Sequence, residues 1–293
     1  MTGTIEVSQL SRAQAASPPA ISPDIRLRDY AVTELARAVA CLSWSGGRLH
    51  AGVHQARKSI RRVRATLALD MPTLGPGADL IDRALRQANR HTSKLRDAQA
   101  LVATLDALLE KTGAGDSSSM LRRARRAAAQ ARAARARIAL ADDPRWDDKR
   151  ALLTTLLAAL SALPWDRVTN ADMRAALQRS LLRSDAAGGR ARTSRRDADW
   201  HRWRRRARRL SQQQRALGDT TTARADASKR DKRLAVILGG VQDCALLREH
   251  LGKGSMFAQA DRPALRVLAE RRTRQLRERI AKMVADSTVK ASG

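Results

Sequence analysis

VHQARKSIRRVRATL, residues 53–67, reads as one amphipathic helix. At about 100° per residue, His54, Arg57, Lys58 and Arg61 fall within roughly 100° of arc, and Arg62 and Arg64 flank it. Ala56, Ile60, Val63 and Leu67 point the other way. One stripe therefore suits a protein core and the other is solidly cationic. The pattern recurs in WHRWRRRARRL, residues 200–210. There His201, Arg204, Arg205, Arg208 and Arg209 repeat the order of His54, Arg57, Lys58, Arg61 and Arg62, while Trp200, Ala207 and Leu210 carry the apolar side.

The whole chain shares this charge. Its 293 residues hold 57 Lys plus Arg against 29 acids, a formal net charge of +28. A compact domain this cationic repels itself unless a polyanion or counterions neutralise it, which nominates inorganic polyphosphate, nucleic acid or an anionic membrane surface as partner. Aromatics make up only 2%, little from which to build the stacking platforms that single-strand binders use. The five Trp read as core or rim. Cys41 and Cys244 lie too far apart to suggest a disulfide framework or a zinc knuckle, so they read as buried thiols of a cytoplasmic protein. MTGTIEVSQLS has no cationic segment followed by an apolar run, which predicts no signal peptide. No stretch of 18 apolar residues exists to span a membrane.

Working outward from the two rows, helical periodicity predicts helices near 24–43, 78–111, 120–140, 145–162, 170–184, 222–251 and 261–285, besides the two cationic ones. In the long 78–111 segment, Ile81, Leu85, Ala88, Thr92 and Leu95 share a core face opposite Arg83, Arg86, Arg90, Lys94 and Asp97. The apolar run Ala151–Leu163 reads as core. Gly188-Gly189 marks a break before the second cationic helix, predicted over 195–217, and Gly239-Gly240 a weak point inside 222–251. No period-2 run suggests a strand, so the expectation is all-α. His54 precedes Asp97 by 43 residues and His201 precedes Asp243 by 42. Two spaced markers in one order imply an internal duplication into two homologous helical halves, each like a four-helix bundle. The expected division is an N-terminal tail (1–22), a first half (23–143), a connecting segment (144–168), a second half (169–286) and a C-terminal tail (287–293).

These residues resemble the CHAD family, the conserved histidine α-helical domain. The first half matches through His54-x-x-Arg57, Arg61-Arg62-x-Arg64 and Arg96-Asp97; the second through His201-x-x-Arg204, Arg208-Arg209-Leu210, Leu238-Gly239 and Asp243. The resemblance covers roughly residues 24–285. It implies paired helical bundles whose basic faces bind inorganic polyphosphate, an association with polyphosphate granules, and no catalysis by the domain itself. No CYTH-type pattern of alternating Glu residues precedes the domain, so a stand-alone member is expected.

The residue chemistry suits such a ligand. A phosphate chain is a flexible row of charges with no base edges to read. Arg at i, i+3, i+4 and i+7 offers donors every 4.5–6 Å or so along one line, and its planar fork pairs bidentately with phosphate oxygens. The expected contacts are the two cationic rows, including Arg64, together with Arg90 and Lys94 on the third helix and Arg122 and Arg126 at i and i+4 on the fourth. Arg90 and Lys94 align with Val236 and Gly240, so the first half is expected to bind more strongly. His54 and His201, heading each row, are candidate donors that charge when a polyanion is near. Asp97 and Asp243 are expected to accept from an Arg of the neighbouring cationic helix and to aim it. No cofactor or metal site is read. A nucleoid or RNA-binding protein held by phosphate contacts alone is the second reading. A phosphohydrolase is the third, and it would need a carboxylate cluster for Mg²⁺.

Overall fold

The computed structural model describes residues 23–112, 115–194, 196–218 and 222–292. The expected tail over 1–22 lies outside them. Ten α-helices follow one another: α1 (Pro23–Leu42), α2 (Leu49–Leu67), α3 (Met71–His91), α4 (Ser93–Leu109), α5 (Asp116–Asp142), α6 (Asp147–Ser161), α7 (Asn170–Thr193), α8 (Asp197–Leu217), α9 (Thr222–Glu249) and α10 (Arg262–Ser292). No strand occurs among the described residues, and the fold is all-α. No described helix is long and apolar enough to cross a membrane.

Periodicity explains the packing. Leu27, Ala31, Leu35, Ala38 and Leu42 recur at helical spacing along α1, each at most 4% exposed, and pack toward α2. On α2 the apolar side foreseen for Ala56, Ile60, Val63 and Leu67 is buried at 0–3% exposure, which turns Arg57 and Arg61 toward α8. A first core joins α1, α2 and α3 with α6 and the start of α7. A second joins α4 and α5 to α9 and α10, and a third joins α7 through α10. Packing thus passes repeatedly between the amino- and carboxy-terminal parts of the chain. Both cysteines are free and buried.

Five local expectations need correction. The single helix foreseen over 78–111 is two, α3 and α4, broken at Thr92 (φ −94°, ψ 8°). Ile81, Leu85, Ala88, Thr92 and Leu95 are all buried as the spacing requires, but the Asn89 carbonyl freed at the break is met by a guanidinium from α2. Helical structure also starts earlier than foreseen, at Met71, with a kink at Gly75, whose φ of 74° favours glycine. The Ala151–Leu163 run is buried only along one edge: Leu153 and Leu160 are fully enclosed and Leu152 is exposed. Helix α10 also continues past residue 285 to Ser292.

Gly188-Gly189 is no break; α7 runs through it. Close approach accounts for the first glycine. A Cβ on Gly188 would stand 2.8 Å from the indole Cε2 of Trp203, whereas one on Gly189 would meet nothing within 4 Å. Gly188→Ala is accordingly expected to destabilise by about 1–3 kcal/mol through overpacking. Gly189→Ala should instead stabilise by up to about 1 kcal/mol through helix propensity. Urea melts of the two variants check the pair.

Candidate functional site

Helix α2 packs on α8, and the two cationic rows meet there. Two cavities flank the meeting. The larger, about 710 Å³, takes His54 and Lys58 from the first turns of α2, Ser211 and Arg215 from the end of α8, and Lys232 and Gly239 from α9. The smaller, about 540 Å³, takes Arg57 and Arg64 from α2, Arg90 from α3, and His201, Arg204, Arg205 and Arg209 from α8. Arg61, Arg96, Arg208 and Gln212 border both. The rows therefore run in opposite senses past a midpoint at Arg61 and Arg208. Each cavity draws its walls from both rows, so the expectation of a stronger first half has no separate site to refer to.

The midpoint holds charge that the protein leaves unneutralised. Arg204 is only 6% exposed, and neither it, Arg61 nor Arg208 has a carboxylate at ion-pair distance among the described residues. Buried Nε atoms of Arg57, Arg61 and Arg204 meet no acceptor. Burial, then the neighbouring Arg208 and Arg96, push Arg204 down to about 9. Burial, then Arg96, with Arg208 also contributing, bring Arg57 to about 10. Arg61 is held well below its ordinary value by burial and by Arg208, Arg57 and Arg204; Arg208 is lowered by burial and Arg96. All stay protonated near neutral pH, so the cost appears as mutual repulsion.

Arg96 is the exception. It donates to Asp97 at 3.0 Å and to Asp243 of α9 at 2.8 Å. Burial opposes its charge, and the two carboxylates outweigh burial and raise its pKa. This corrects the expected role of the aspartates. Both accept from Arg96 of α4, not from an arginine of the cationic helices, and together they pin one guanidinium between the two cavities.

The remaining foreseen residues divide. Arg57 lines the smaller cavity but also donates to the Asn89 carbonyl and, at 2.7 Å, to Thr92 Oγ1, closing the α3–α4 break. Lys58, Arg205 and Arg209 line the cavities without a carboxylate partner among the described residues. Arg64 spends its fork on Asp82, at 2.8 and 3.0 Å. Arg62 is not a free cation: it is 6% exposed and bound at 2.6 Å to Glu34 of α1, itself 4% exposed and held by Ser59 at 2.6 Å. Lys94 is exposed and lines neither cavity. Arg122 and Arg126 lie on the exposed side of α5, which packs on α4 rather than on the cationic helices, and line neither.

His54 stands at the rim of the larger cavity, partly open to solvent. Burial by the wall behind it, then Arg61, Lys58, Arg96 and Arg208, lower its pKa below the usual 6.5. His201 lines the smaller cavity, its Nδ1 2.6 Å from Gln242 Oε1. Residues missed from sequence also contribute. Arg86 and Lys232 line the smaller and larger cavities and stand eleven residues before Asp97 and Asp243 respectively. That shared spacing was the signal that could have found them. Among the described residues, no three of His, Cys, Asp and Glu gather to hold a metal ion.

Comparison with known proteins agrees with this architecture. Among curated proteins no sequence matches the chain. The solved structure of PptA from Streptomyces chartreusis superposes with a TM-score of 0.64 at 18% identity, over 90% of this chain and all of that one. That likeness concerns the fold alone. The sequence profile of the CHAD domain matches residues 30–252, most of the chain. By its sequence, and with an all-helical structure built around two His-led cationic helices, the chain belongs to the CHAD family.

Proposed function

We propose that the two cavities bind inorganic polyphosphate without catalysing a reaction on it, and that this binding places the protein on polyphosphate granules or organises them. One observation carries the reading: Arg61, Arg204 and Arg208 are packed together, wholly or partly out of water, with no carboxylate in ion-pair contact. Burying charge without a partner is costly, and a removable polyanion supplies the missing partner. Each charge-assisted bond formed contributes about 1.5–3 kcal/mol. Family membership supports the same ligand class. A bare phosphate chain fits clefts of this size between helices. A nucleic-acid duplex carries its phosphates on a convex surface too broad to enter them.

A competition titration tests this. Long-chain polyphosphate is expected to displace duplex DNA at a far lower concentration of phosphate. Displacement at equal phosphate would favour the nucleic-acid reading, and phosphate release with Mg²⁺ or Mn²⁺ would favour the hydrolase. Affinity should fall steeply with salt, as counterions are released on binding.

The site also predicts a pH dependence. In the free protein His54 is depressed by burial and by Arg61, Lys58, Arg96 and Arg208; phosphate beside it reverses the field and raises its pKa. The complex then binds more protons than the free protein, so affinity rises as pH falls from about 7.5 towards 5.5. Calorimetry in buffers of different ionisation enthalpy should record proton uptake. His54→Gln should remove most of it, and an affinity that weakens towards acid would contradict the assignment.

A further inference from the structure

A third cleft, about 370 Å³, lies between α4, α9 and α10. It shares Val236, Gly240 and Asp243 with the larger basic cavity, so the two meet across the middle of α9. Three further cations line it: Arg233 of α9, and Arg272 and Arg279 of α10. The last two stand two helical turns apart on one face, roughly 10.5 Å along the axis, with Leu276 between them. None of the three has a carboxylate at ion-pair distance among the described residues, and Arg272 donates only to the neutral Gln275 amide, at 3.3 Å.

Where the two clefts meet, Leu276 of α10 packs closely against Gly240. A Cβ on Gly240 would come 3.1 Å from Leu276 Cδ1, so a larger side chain there would push Leu276 aside. The one carboxylate that borders both clefts, Asp243, is already faced by Arg96 at 2.8 Å. A linear polyanion too long for the basic cavities must leave them somewhere. Apart from Asp243, the charged side chains bordering the third cleft are the three arginines.

We propose that this cleft is an extension of the phosphate track, in which Arg233, Arg272 and Arg279 bind phosphates beyond those held in the basic cavities. The extension rests on the reading of those cavities as a polyphosphate site. It makes chain length a property the protein senses: a chain short enough to stay in the cavities gains nothing from the cleft, and a long one does.

Arg272→Gln/Arg279→Gln, two solvent-accessible changes, tests it in the full-length chain, with tripolyphosphate and long-chain polyphosphate as the two probes. Long-chain affinity is expected to fall about tenfold, and the slope of log affinity against log salt to shrink by about two, one per lost contact. Tripolyphosphate binding should stay within about twofold of the parent. Arg272→Lys/Arg279→Lys, which keeps both charges, should retain most of the slope. Arg271→Gln/Arg274→Gln removes the same net charge outside the cleft and should leave both probes unaffected. Equal losses for both lengths, no loss for either, or the same loss in the Arg271/Arg274 control would each overturn the extension. If the parent binds neither probe, the reading of the basic cavities fails and the extension fails with it. If the parent binds both and only the length selectivity is missing, the extension alone is lost.

Discussion

Reversing Arg61 and Arg208 together to Glu is expected to raise the dissociation constant for long-chain polyphosphate at least about a hundredfold, since two charge-assisted contacts of about 1.5–3 kcal/mol each are removed. The same double variant should melt no lower than the parent in the absence of ligand. Ordinary binding-site substitutions do not carry that second half. It follows from Arg61 and Arg208 each lying among other guanidiniums with no carboxylate in contact; two acids placed there would meet Arg57, Arg96 and Arg204 and relieve repulsion. Arg57 is a poorer test residue, because its guanidinium also closes the α3–α4 break and its loss would confuse folding with binding. Filter retention gives the first quantity and a thermal melt the second. Retained affinity, or a midpoint several degrees lower, would count against a cation cluster kept for an anion.

Arg62→Met is expected to do the opposite. It should destabilise by about 3 kcal/mol, because Glu34 would be left charged and nearly enclosed with only the Ser59 hydroxyl and, at 3.8 Å, the largely exposed Arg37 to meet it. Glu34→Leu/Arg62→Met should recover most of the loss, since exchanging a whole buried pair for apolar groups is often close to neutral. Arg62 borders the larger cavity, but its guanidinium is committed to Glu34 of α1, so polyphosphate affinity of the folded Arg62→Met protein should change little. Urea unfolding of the single and double variants measures the first two effects and a titration the third. A single variant as stable as the parent would mean that Glu34 does not depend on Arg62.

The contrast between Arg61 and Arg62, adjacent in sequence, shows how far periodicity carries. The 3.6-residue repeat placed Ile60 and Val63 in the core and Arg57, Lys58 and Arg61 on the opposite stripe, and the structure agrees. Arg62 falls on the flank of that stripe, where helix geometry alone cannot say which neighbour it meets. Its partner is on another helix, 28 residues earlier. The Thr92 break is hidden for a similar reason. Thr92 is in phase with the core face, no Gly or Pro announces a stop, and the carbonyl released there is satisfied by Arg57 across a tertiary contact. Gly188 misled in the other direction: a residue that usually ends a helix serves as a slot for Trp203. Charge runs were the least legible. Arg122 and Arg126 have the right spacing but belong to a helix that faces away, while Arg272, in a run that circles its helix, borders a cleft.

The opposed arrangement of the two rows has a consequence for chains shorter than this one. A polypeptide of half the length, carrying a single His-led helix, would own only half the wall of either bowl. On the proposal that the bowls hold a polyanion, it could do so only by docking onto a twin, and dilution would take the site apart. Threading both rows onto one backbone makes the site's integrity a matter of folding rather than of encounter, the same at one molecule per cell as at thousands.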